Sequence, residues 1–359
     1  MEELDFAPPA WLRNPHLQSI LPSLTIRRQV VFRRALGLLG ASRPQLVDCG
    51  DGVRLHGYCA LQPEGAPRPG AAPGPHGARE LVLMLHGWEG SAESLYVLSA
   101  GQYLYDRGYD VFRLNLRDHG ATHHLNPELF HSCRIAEVVG AVRAVQAMHP
   151  DRALSLVGFS LGGNFALRVA ARAPGAGIRL KQVVAICPVL DPEHTLDALE
   201  HGLWIYRNYF VLKWRKSLVK KHRAWPDLYD LDELTSHGDL VGMTEHLILR
   251  FSEYPDLQTY LRGYAIVGDV LRDLRVPARI ITALDDPIIP ASDLSRLAPS
   301  PNLRVAVTKY GGHCGYLEGL FGESWADRQI HAELAAGSGA EASSAGALSP
   351  DARGLAVPR

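Results

Sequence analysis

The stretch Leu154-Ser155-Leu156-Val157-Gly158-Phe159-Ser160-Leu161-Gly162-Gly163-Asn164 decides how this chain is read. Leu154–Val157 has the apolar content and length of a buried strand. It runs without a linker into Gly158 and a helical pattern starting near Leu161. Gly158-Phe159-Ser160-Leu161-Gly162 is therefore a GxSxG pattern at a strand-to-helix turn. A serine on so tight a turn needs small neighbours two positions to either side, because any Cβ there would meet backbone. In a chain with 34 glycines the pattern alone is weak. The strand–turn–helix context is what singles out Ser160 as a nucleophile.

Outward from this turn, Leu81–Leu85, Asp110–Asn115, Val183–Ile186, Arg279–Thr282 and Leu303–Val307 read as further short apolar strands. Helical stretches are expected up to about Arg107 and from about Ser132 to Met148. Apolar strands alternating with helices specify a doubly wound, mostly parallel α/β sheet covered on both faces. Pro44–Cys49 and Val53–Cys59, joined at Asp51-Gly52, read as a hairpin. Residues 1–45 are expected to be an arm packed on the core, and 46–190 with 271–335 to be the core itself. Residues 191–270 show helical but no strand patterning and hold many aromatics, so they are expected to be an inserted helical cap. Gln62–Arg79 reads as a surface loop, and 336–359, rich in Ala, Gly and Ser, as a disordered tail.

Ligands in such sheets bind beyond the carboxyl ends of the strands, and the other chemical motifs lie there. After Leu85 comes His86-Gly87-Trp88-Glu89-Gly90. A serine nucleophile needs two backbone N–H groups for the developing oxyanion. These are expected from Leu161, just after the serine, and from Trp88 in this loop. His86 reads as a structural loop residue, since a better base lies downstream. After Thr282 comes Ala283-Leu284-Asp285-Asp286-Pro287-Ile288-Ile289-Pro290, and Asp286, directly before proline, is preferred over Asp285 as the acid. After Val307 comes Gly311-Gly312-His313-Cys314-Gly315, which puts His313 on a close-approaching loop as the base. The chain order Ser, acid, His fits this architecture.

The whole-chain balance narrows the partners. With 37 Lys+Arg against 38 Asp+Glu the net charge is −1, which argues against a nucleic-acid binder. No run approaches the roughly 18 apolar residues of a membrane helix, and the acidic start lacks a secretory signal. Five cysteines without CxxC spacing read as reduced thiols of a cytoplasmic protein. Histidine is in excess at 16, and Asp118, His119, His123 and His124 share one loop. No zinc spacing is present, so they read as polar residues ordering the site rim, and neither metal nor cofactor is expected. Leu203–Arg223 mixes aromatics with seven Lys/Arg. Such a helix can lie on an anionic membrane. The preferred reading is a cap helix with its apolar face on a substrate pocket and its charges in water.

The chain resembles the YheT-like branch of the α/β-hydrolase superfamily, which is similar to the mammalian abhydrolase lipases. The residues that carry this are Trp11-Leu12-Arg13-Asn14-Pro15-His16-Leu17-Gln18-Ser19-Ile20, His86–Ser91, Asn115-Leu116-Arg117, Gly158–Gly163, Asp285-Asp286-Pro287 and Gly311-Gly312-His313. The resemblance implies a Ser160/Asp286/His313 triad and carboxylesterase or lipase-like activity on an ester with an apolar acyl group. Some relatives carry an N-terminal membrane anchor, and this sequence shows none, which counts against a membrane-embedded role. An acyltransferase using the same triad and a non-catalytic binding module are the alternatives. Oligomeric state is not legible.

Overall fold

The computed structural model describes residues 1–65 and 79–345. Its nine strands are β1 (Glu2–Glu3), β2 (Ser42–Gly50), β3 (Val53–Ala60), β4 (Glu80–Leu85), β5 (Asp110–Asn115), β6 (Ala153–Phe159), β7 (Leu180–Ile186), β8 (Ala278–Ala283) and β9 (Leu303–Thr308). They form one sheet in the order β1-β9-β8-β7-β6-β4-β5-β3-β2. Every pairing is parallel except β2 with β3 and β3 with β5. The doubly wound, mostly parallel sheet is as expected. All six residues of β4, β5 and β8 are buried, because helices cover both faces. The β2–β3 turn puts Asp51 at φ 52° and Gly52 at φ 76°, the left-handed pair that an Asp-Gly hairpin supplies at least steric cost.

The helices divide between the two faces. On one lie α2 (Thr25–Arg34) and α3 (Leu36–Ala41) with α4 (Leu95–Tyr105) and the terminal helix, and on the other α5 (Ile135–Met148) and α6 (Leu161–Arg172). The order of the central strands reverses between β6 and β4. The loops after these two strands therefore diverge and leave a crevice at their carboxyl ends.

Two features differ from the sequence expectation. The arm adds strand β1, whose Glu2 and Glu3 pair with Ala306 and Val307; two residues carry no periodicity from which to read a strand. The last helix spans Trp325–Ala345, so helix continues past residue 336, where a tail is expected. Alanine lowers the cost of continuing a helix once it is nucleated on packed residues such as Ile330 and Leu334. Residues 346–359 and most of the Gln62–Arg79 loop lie outside the described residues.

Between β7 and β8 stand α7 (Pro192–His201), α8 (Trp204–Ala224), α9 (Leu231–Leu234), α10 (Leu240–Phe251) and α11 (Leu257–Gly263). Helix α8 corrects in part the expectation of basic residues turned to water: Lys216, Lys220 and Arg223 are exposed, but Lys213 and Lys221 turn inward. Lys221 is 1% exposed, and its ammonium donates to Asp118 Oδ1 at 2.9 Å and to the Asn126 and Glu128 carbonyls at 2.8 Å. Lys213 donates to the Glu89 carbonyl at 3.0 Å. A buried ammonium persists only when its protons are paired, and the loops after β4 and β5 supply the acceptors. Trp204 and Leu212 are 64% and 58% exposed instead.

Candidate active site

The tight turn at Ser160 is built by close backbone contacts. Ser160 has φ 53°, a left-handed conformation that costs a non-glycine residue about 1–3 kcal/mol. A Cβ on Gly158 would lie 2.2 Å from the Gly162 carbonyl oxygen, and one on Gly162 would lie 2.3 Å from that of Leu85. No side chain fits in either place, which is why the turn is spelled with glycines. The Ser160 N–H donates to the Ile186 carbonyl at 2.9 Å, tying the strained residue to the end of β7.

Three chain segments converge on the serine. Its Oγ lies 2.9 Å from His313 Nε2, and His313 Nδ1 lies 2.9 Å from Asp286 Oδ2. Asp286 Oδ1 accepts the Ile288 and Ile289 N–H groups at 2.8 and 3.0 Å. Those two bonds fix the carboxylate's rotation and leave Oδ2 for the imidazole. Burial pushes the His313 pKa down, but the Asp286 charge and hydrogen bond outweigh it, so the net shift is up. Asp285 faces elsewhere: its Oδ1 accepts the Gly312 N–H at 2.9 Å, which holds the histidine loop. Burial raises its pKa.

The loop after β4 lies against the serine, with a Cβ on Gly87 only 3.2 Å from Ser160 Cβ. Its donors are nearly all committed. The Gly87 N–H goes to Tyr96 OH at 2.9 Å, that of Glu89 to His119 Nε2 at 3.1 Å, that of Gly90 to the Gly87 carbonyl at 3.0 Å and that of Ser91 to Ser94 Oγ at 2.9 Å. Among the described residues, that leaves the Trp88 N–H of this loop without a protein acceptor. Leu161 opens α6, so its N–H has no intrahelical acceptor either.

The loop histidines brace this arrangement. His86 Nδ1 donates to the Gly87 carbonyl at 2.7 Å and Nε2 accepts the Leu116 N–H at 3.1 Å. His119 repeats the scheme, with Nδ1 on the Arg117 carbonyl at 2.6 Å. Burial drives the pKa of His119 down to about 4 and that of His123 to about 3, so both are neutral at pH 7. His123 Nε2 pairs with Ser217 Oγ of α8 at 2.8 Å. The structure gives these residues hydrogen-bonding work and does not gather Asp118, His119 and His124 as ligands.

Sequence reasoning missed the part played by the arm. Helix α1 (Pro15–Ile20) is capped by Asn14, whose side chain accepts the His16 and Leu17 N–H groups. It presses on the histidine loop: Ser19 Oγ accepts the His313 N–H at 2.8 Å and donates to the Pro15 carbonyl at 2.7 Å. Gln18 is wholly buried and bridges Leu12 and Leu317. His16 Nδ1 meets Tyr206 OH of α8 at 2.9 Å. Residues 11–20 stand out as a motif in the sequence, but their target is some three hundred positions away.

Residues 80–211 match the family model described as alpha/beta hydrolase fold. The Pyrococcus furiosus esterase PF2001 superposes with a TM-score of 0.53 at 15% identity, covering 83% of this chain and 91% of that one. The chain has the α/β-hydrolase fold. Weak similarity links this chain to proteins named as lipases. The phospholipase ABHD3 of Mus musculus is 24% identical over 247 residues, and the monoacylglycerol lipase ABHD2 of Danio rerio is 26% identical over 261. The matches cover 68% and 67% of this chain but only 60% and 61% of those relatives. No helix among the described residues is long and apolar enough to cross a membrane.

Proposed function

We propose that this α/β hydrolase is a serine hydrolase of carboxylic esters, with Ser160 as nucleophile, His313 as base and Asp286 as its orienting acid. The observation that carries this is the unbroken Ser160–His313–Asp286 hydrogen-bond chain, with 2.9 Å at each link. Ser160 Oγ attacks the acyl carbonyl while its proton passes to His313 Nε2. Asp286 holds Nδ1–H and stabilises the imidazolium. The Trp88 and Leu161 N–H groups receive the developing oxyanion. The proton then goes to the leaving alcohol, and water resolves the acyl-enzyme by the reverse route. This chemistry needs no cofactor.

An apolar acyl group is the substrate feature best supported. A cavity of about 60 Å³, open to solvent on one side, lies between the loops after β4 and β5 and the helical insertion. Trp88, Leu129, Phe130, Trp214, Ile248 and Phe251 supply its apolar wall. Ser160 is outside the lining. Trp88 links the two along the chain, since it follows Gly87, which lies against Ser160, and its indole lines the cavity, stacked on Phe210 at 5.1 Å. The exposed Trp204 and Leu212 on α8 fit peripheral contact with a lipid surface.

The test is fluorophosphonate labelling of the purified chain with Ser160→Ala as control, followed by p-nitrophenyl esters of increasing acyl length. Labelling that disappears in the variant and an optimum at a medium or long acyl chain are expected. Folded wild-type protein that does not label, or a Ser160→Ala variant that keeps its esterase activity, overturns the reading. Ester formation with added alcohols in place of hydrolysis reassigns it to acyl transfer.

A further inference from the structure

Two cysteines that the proposed mechanism does not use meet beside the Ser160–His313 pair. Cys187 follows β7 and Cys314 follows the histidine itself. Their Sγ atoms and a ring nitrogen of His313 all lie within 4.8 Å of one another. The Cys314 N–H points at Cys187 Sγ, 3.4 Å away. Cys314 Sγ lies 3.6 Å from the Ile186 carbonyl oxygen, the same atom that accepts the Ser160 N–H. Both sulfurs therefore sit next to the nucleophile turn. They are free thiols, and besides the Cys314 N–H the Cys187 sulfur has long contacts to the Gly312 carbonyl at 3.8 Å and Tyr316 OH at 3.7 Å. Cys187 and Cys314 have φ of 43° and 57°, so the backbone is strained at the two residues that present the thiols.

We propose that Cys187, Cys314 and His313 form a binding site for a soft divalent cation of the zinc class, and that filling it switches the hydrolase off. Two thiolates and an imidazole are a donor set that zinc and cadmium prefer over hard cations. Tetrahedral zinc, with bonds of about 2.3 Å to sulfur and about 2.0–2.1 Å to nitrogen, places neighbouring donors about 3.4–3.8 Å apart. The cluster must contract by about 1.0–1.4 Å at most, a distance that partial rotation of a cysteine side chain covers. Binding sends the two thiol protons to solvent, and the Asp286 carboxylate bonded to His313 adds negative charge beside the cation. Both imidazole nitrogens already serve the triad, Nδ1 on Asp286 and Nε2 on Ser160. Ligation takes one of them away, so the metal-bound and active arrangements exclude each other. The inhibition rests on the function proposed above; the binding does not.

The experiment uses the full chain and two probes. Cadmium is titrated while the ultraviolet thiolate-to-cadmium charge-transfer absorption is followed, and zinc is titrated against fluorophosphonate labelling, with a chelator added afterwards. The absorption is expected to saturate at one cadmium per chain. Zinc is expected to block labelling and the chelator to restore it. Cys314→Ser, at a partly exposed position, is expected to label normally without metal and to lose the absorption. Its half-blocking zinc concentration is expected to rise by more than the roughly 10–100-fold that even an outer-shell partner is worth. Cys187→Ala, where it folds, is expected to behave alike. Absence of the absorption in wild type, or zinc blocking Cys314→Ser at the wild-type concentration, overturns the site and moves inhibition to other histidines. A wild type that never labels in metal-free buffer sinks the hydrolase reading instead, while the cadmium absorption still tests the site.

Discussion

Replacing Asp286 by asparagine tests the proposed acid with little change in shape. Asp286 Oδ1 accepts two backbone N–H groups, from Ile288 and Ile289. In Asp286→Asn the amide oxygen must keep that place, because the NH₂ group cannot accept from them. The NH₂ group then faces His313 Nδ1 and donates to it. The imidazole is forced to carry its proton on Nε2, which faces Ser160 Oγ at 2.9 Å and so cannot take the serine proton. In the Ser-His-Asp template this tautomer error costs about 10⁴ in kcat, or about 5.5 kcal/mol at about 1.4 kcal/mol per decade. The backbone caps survive, so the melting temperature is expected to change little. Asp285→Asn keeps an oxygen for the Gly312 N–H and is expected to stay within about tenfold of wild type, since it removes no bond to the imidazole. The assay is steady-state hydrolysis of a p-nitrophenyl ester, with thermal denaturation of each variant beside it. An Asp286→Asn enzyme within tenfold of wild type, or a larger loss at Asp285→Asn, would refute the assignment.

Three further outcomes are expected. The His313 pKa is raised above the ordinary histidine value near 6.5, and only the neutral imidazole can accept a proton. The kcat/KM profile should therefore fall as pH drops through a value above that, and a limb at or below it would contradict the Asp286–His313 coupling. Ser19→Ala removes the acceptor of the His313 N–H; an unsatisfied donor costs about 1–3 kcal/mol. Reduced kcat with little change in KM is expected from loosening the loop, and unchanged kinetics would show that α1 does not position the base. Lys221→Met leaves Asp118 without its 2.9 Å partner. Breaking a buried pair from one side costs about 3–5 kcal/mol, so a large drop in denaturant midpoint is expected, and an unchanged midpoint would show that the pair contributes nothing.

The parallel sheet, the tight turn at Ser160 and the loops that carry Asp286 and His313 were legible in the sequence because each is written locally. Apolar runs such as Leu81–Leu85 specify doubly covered strands. Gly158 and Gly162 specify a turn that a Cβ would destroy. An Asp-Gly pair specifies its hairpin. Asp286 and His313 could be proposed because chain order and strand ends limit the options, but the hydrogen bonds that separate Asp286 from Asp285 exist only after folding. Tertiary structure alone placed Ser19 under His313, turned Lys213 and Lys221 inward to the carbonyls of the loops after β4 and β5, and brought Cys187 within reach of Cys314. Each of these joins residues more than ninety positions apart. No local pattern encodes such a partner, because the free energy of pairing a buried donor, thiol or ammonium depends on which acceptor the rest of the fold delivers to it.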